Sequence, residues 1–167
     1  MELIKLSIPS AFVAERTRVT WREVLYGINN ELLAPAAAVD LAGEEVEAQD
    51  DPPPALVELA GLGKGEPIQA LVEQLAKTQP EQNAEEIRDK WLYLTLAWIF
   101  EHRTTYRDPL QTVEEVYADF GYPARIAGFV RLMPADDPDL GSRELNERRL
   151  YQKWRTYLDE VSAEYAP

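Results

Sequence analysis

The chain has 167 residues, a formal net charge of −13, one histidine and no cysteine. That length suits a single domain that buries a core without disulfides or metals, and the missing thiols exclude disulfide frameworks, cysteine nucleophiles and cysteine–zinc sites. The acidity sets the chain against nucleic acid and anionic lipid.

From the N-terminus, only Leu3 to Ile8 alternates in a strand-like way, and Lys5, Ser7 and Pro9 break it too early for a signal peptide. The longest apolar run, Trp91 to Phe100, would rise about 15 Å as a helix, half a bilayer's hydrocarbon thickness. A cytoplasmic protein with no membrane span is expected.

Twelve prolines punctuate the chain. A proline at the first helical position loses no hydrogen bond, so Pro9, Pro35, Pro67, Pro80, Pro109 and Pro123 are read as marking helix starts. A brief helix is expected from Pro9 to about Glu15. Thr20 and Glu23 form a T-x-x-E capping box, followed by Trp21, Val24, Leu25 and Ile28 on one stripe; Gly27 weakens that helix by propensity. A third helix runs from about Pro35 to Ala48, with Ala38, Leu41, Ala42 and Val46 inward. QDDPPP (49–54) is a stiff break before a short helix carrying Leu56, Leu59 and Ala60. The next helix opens at Glu66-Pro67 and aligns Ile68, Leu71, Val72 and Leu75.

After the turn at 78–83 comes a helix from about Glu85 to Arg103, apolar nearly all round and therefore expected at the centre. Asp108 caps the following helix, whose inner face is Leu110, Val113, Val116, Tyr117 and Phe120. Gly121 stops it. Pro123 begins a short helix with Ile126, Phe129, Val130 and Met133, and a polar loop (134–142) leads to a final helix from about Arg143 to Glu164. The expectation is one all-α domain over residues 1–167, of eight or nine helices in antiparallel pairs around a Trp-rich central helix, with a subdivision near 78–84 as the alternative.

Groups able to do chemistry are few. His102 follows Trp98 by one helical turn at a helix C-terminus, where a cation is favoured, and Glu101 points about 100° away from it. That is a structural histidine rather than half of a dyad. One histidine cannot supply the paired Glu-x-x-His motifs of a di-iron bundle or an H-E-x-x-H zinc site. GLGKGEP (61–67) lacks the Ser or Thr of a phosphate loop and the third glycine of a dinucleotide fingerprint, and no strand precedes it. No catalytic residue, metal ligand or cofactor is therefore assigned. A carboxylate-bound divalent metal at Asp108, Glu114, Glu115 and Asp119 is the enzymatic alternative, and a self-assembling helical scaffold a third reading.

The acid is unevenly spread. Between Glu23 and Gly63 there is no lysine or arginine, while Asp40, Glu44, Glu45, Glu47, Asp50 and Asp51 fall within twelve residues. These six are the first candidates for docking a basic partner, against the plainer role of keeping the surface solvated. Asp119, Tyr122 and Arg131, around YADFGYP, form a second candidate contact site.

KWLYLTLAWIFEHR, DPLQTVEEVYADFGYPARIAGFVRLMP, LYQKWRTYL and VTWREVLYGINNELLAPAAAVDLA resemble a family of uncharacterised bacterial proteins that are small, acidic and helical. The resemblance spans nearly the whole chain and brings no activity, cofactor or catalytic residue. It implies an immunity-type role, neutralising a bacterial toxin domain. The chain departs from the family's usual pattern at Gly121, where a polar residue is common, and at Leu132, where an aromatic is. Both departures fall near the second contact site.

Overall fold

The computed structural model describes residues 4–63, 66–131 and 137–167. Among them are eight α-helices: α1 (Ser10–Arg16), α2 (Trp21–Asn29), α3 (Pro35–Ala48), α4 (Pro54–Ala60), α5 (Gln69–Lys77), α6 (Ala84–Glu101), α7 (Pro109–Asp119) and α8 (Arg143–Tyr165). Two 3-10 segments, Arg103–Thr105 and Ala124–Phe129, flank α7. The fold is all-α. The strand-like start reduces, among the described residues, to one parallel bridge between Ile8 and Leu33; Leu3 lies outside them. Two compact units are distinguished, Lys5–Trp91 with Tyr165–Pro167, and Leu92–Glu164 with Ile4, the boundary between them falling inside α6.

In the first unit, α3 packs on α4, α2 and α4 on α5, and α1 on α3. The capping box of α2 forms as expected: the Glu23 N–H donates to Thr20 Oγ1 at 3.1 Å, and the Thr20 N–H to Glu23 Oε1 at 2.8 Å. The remaining N-terminal donors are met from the α5–α6 connection, where Gln79 Oε1 accepts from the Trp21 N–H at 2.6 Å. The Arg22 guanidinium donates to the Gln79 carbonyl at 3.0 Å.

Glu23 is 2% exposed. Besides capping, it pairs with Lys90 of α6 at 2.9 Å, and Lys90 also donates to the Arg18 carbonyl. The next residue of α6, Trp91, is fully buried and donates its indole N–H to the Glu23 carbonyl at 2.8 Å. Its ring lies against Gly27: a Cβ built there would sit 2.3 Å from the indole Cζ2. Gly27 is thus the gap in α2 that admits Trp91.

In the second unit, residues 92–97 of α6 are all buried. Trp154 of α8 is fully buried, with Phe100 edge-on at 5.0 Å and Phe129 and Tyr151 stacked at 6.2 and 5.9 Å. Such aromatic pairs each add about 0.5–1.5 kcal/mol beyond area burial. Gly121 ends α7 as expected, at φ 77°. Its N–H donates to the Ala118 carbonyl and that of Tyr122 to the Tyr117 carbonyl, which is the Schellman pattern.

Boundaries shift in three places. The fifth helix begins at Gln69 rather than at Glu66-Pro67. The sixth ends at Glu101, with Arg103 entering a 3-10 turn. The short helix after Pro123 is a 3-10 segment that stops at Phe129, so Val130 follows it; Met133 lies outside the described residues.

Thr95 is fully buried, and its hydroxyl finds no hydrogen-bond partner among the described residues. An unsatisfied buried hydroxyl costs about 1–3 kcal/mol. Thr95→Val is expected to raise the unfolding free energy by about 1 kcal/mol in a urea titration. A loss of similar size would show that the hydroxyl is hydrogen-bonded in solution.

Candidate functional site

The six acids of the first candidate surface lie on α3 and in the connection to α4. Asp40, Glu44, Glu47, Asp50 and Asp51 are exposed; Glu45 is half-buried. Asp40 accepts a hydrogen bond from Ser10 at 3.2 Å. Glu45 accepts one from the Trp21 indole at 3.1 Å, so it helps seat Trp21 and is the least available of the six. Among the described residues no ion pair reaches any of them.

The position of the last four of them works against the helix. The last turn of α3 carries no basic residue, yet Glu45 and Glu47 lie in it and Asp50 and Asp51 follow closely. Carboxylates at a helix C-terminus face the negative end of its dipole, at about 0.3–1 kcal/mol each when near the surface. Solubility alone would be served as well by acids at an N-terminus, where the same charge stabilises.

The three residues of the second candidate set each engage different partners. Asp119, half-buried, accepts the Ile4 N–H at 2.6 Å. Tyr122 is 59% exposed, holds a left-handed backbone at φ 59°, and meets Tyr117 edge-on at 5.3 Å. Arg131 turns to three carboxylates instead: Asp108 at 2.9 Å, Glu114 at 3.1 Å and Glu147 at 3.5 Å. Its side chain is only one-fifth exposed. Glu147 is held in turn by Arg143, one helical turn earlier on α8.

This knot also bears on the metal alternative. Asp108 and Glu114, two of its four proposed ligands, already surround a guanidinium. Asp119 is engaged elsewhere, and Glu115 is exposed on α7. Among the described residues no three acidic or histidine side chains are grouped to hold a metal ion.

The hydrogen bond from Arg131 holds the Asp108 carboxyl below the usual carboxylate range, opposed by burial and assisted by the Gln111 N–H. A depressed carboxyl contributes stability above its unfolded pKa, and that contribution is lost as pH falls through the folded value. Arg131→Leu strips Asp108 and Glu114 of their cation and leaves Glu147 paired only with Arg143. It is expected to cost about 1 kcal/mol near neutral pH, discounted from fully buried pairs because the knot is partly solvated. The gap from the parent should narrow in acid melts as pH falls below the ordinary carboxylate range and through the lowered folded value of Asp108. A gap independent of pH would show that Arg131 acts by packing alone.

His102 lies just past the end of α6. Its imidazole stacks on Trp98 with centroids 3.8 Å apart, and Nδ1 lies 2.8 Å from the Trp98 carbonyl oxygen. A carbonyl only accepts, so this nitrogen carries the proton. The ring closes the helix end, as the sequence reading expects. GLGKGEP follows α4, with Gly61 as the C-cap of that helix; Lys64 and Gly65 lie outside the described residues. No helix among the described residues is long and apolar enough to cross a membrane.

Sequence reasoning found the acids of α3 but missed the Arg131 knot. The i,i+4 spacing of Arg143 and Glu147 was legible, and so was the capping role of Asp108. Nothing local in the sequence joins them to Arg131, which reaches back 23 residues to Asp108.

Residues 10–162 match the family described as "uncharacterized protein conserved in bacteria" (DUF2247). No curated protein and no solved structure matches the chain.

Proposed function

Since the chain belongs to this bacterial family, whose description assigns no reaction, we propose that it works by binding: a non-enzymatic cytoplasmic module whose acidic α3 surface docks a basic protein, in an immunity-type role against a bacterial toxin domain. The observation that carries the proposal is the row Asp40, Glu44, Glu47, Asp50 and Asp51, exposed and without ion pairs among the described residues, with Glu47 in the last turn of α3 and Asp50 and Asp51 just beyond it, where negative charge opposes the dipole. Carboxylates arranged in this way draw a cationic surface by long-range attraction, which speeds encounter and weakens with salt.

The test is kinetic. A basic partner identified by crosslinking the chain in its producing cell is purified, and its association rate is measured at about 50 and 500 mM salt. The Debye length shrinks from roughly 14 to 4 Å over that range. A fall of tenfold or more, largely removed by Glu44→Lys/Glu47→Lys/Asp51→Lys, supports docking at α3. An association rate indifferent to both salt and charge reversal would overturn it.

A further inference from the structure

We draw no further inference here: the strongest candidate, the exposed Tyr117–Tyr122 corner at the end of α7, is already explained by the Schellman hydrogen bonds and the contact between the two rings, and nothing in the structure shows what covers it.

Discussion

Gly27→Ala is expected to destabilise the protein by about 3 kcal/mol, the upper part of the range for overpacking a filled core. Helix propensity alone argues the opposite, since alanine is better than glycine in a helix interior by about 1 kcal/mol. The new methyl would meet three atoms of the Trp91 ring, at 2.3, 2.6 and 2.9 Å. The ring cannot swing aside cheaply, because its N–H is bonded to the Glu23 carbonyl within the same helix. Gly27 is itself tied in: its carbonyl accepts from the N–H groups of both Leu32 and Leu33. Trp91→Phe removes the clashing part of the indole. Combining it with Gly27→Ala should therefore cost less than the sum of the two single changes, a non-additivity that a double-mutant cycle in urea reads directly. Additive costs would mean that the glycine is needed for its backbone rather than for the space it leaves.

The second large effect concerns Lys90. Lys90→Met removes the cation facing Glu23, a carboxylate 2% exposed that also caps α2. Breaking one side of a buried pair costs about 3–5 kcal/mol, and a value near 3 is expected because the Lys90 side chain keeps 15% exposure. Glu23→Gln preserves an oxygen to accept the Thr20 N–H while removing the charge. The double variant Glu23→Gln/Lys90→Met should recover most of the loss, since no isolated buried charge remains. Chemical unfolding of the four proteins decides it. A double variant no more stable than Lys90→Met alone would show that Lys90 matters through its stem and its bond to the Arg18 carbonyl.

How far the sequence carried the fold differs by element. The T-x-x-E box of α2, the Asp108 cap and the glycine stop of α7 are local devices, written within four or five consecutive residues, and all three form as read. Proline served less evenly. Of the six prolines read as helix starts, Pro35 and Pro109 occupy first helical positions, but Pro9 is itself the N-cap of α1, Pro67 precedes α5 by two residues, Pro80 precedes α6 by four and Pro123 caps a 3-10 segment. A proline fixes its own φ and restricts the residue before it, which permits a helix start without fixing its register.

What the sequence concealed was tertiary. Gly27 read as a weak point in a helix and is the seat of a tryptophan 64 residues away in the chain. Lys90 drew no notice in the sequence and pairs with a buried cap. Arg131 read as a contact residue and is committed to α7 and α8. Each of these roles depends on which helices meet, and periodicity along one helix does not encode that. The acids of α3 were legible because they needed no partner to be noticed, with the exception of Glu45, whose bond to Trp21 appears only in the folded chain.

The central claim is that the exposed carboxylates Glu44 and Glu47 of α3 serve docking and contribute nothing to folding, unlike Glu45, which seats Trp21. Urea unfolding of the free Glu44→Lys/Glu47→Lys chain tests it without any partner. Reversing the sign near the C-terminal end of the helix should leave the protein as stable as the parent or more stable by about 0.5–1 kcal/mol. If the reversed chain instead unfolds at clearly lower urea, the carboxylates are part of the fold's own support, and the case for a docking surface is lost.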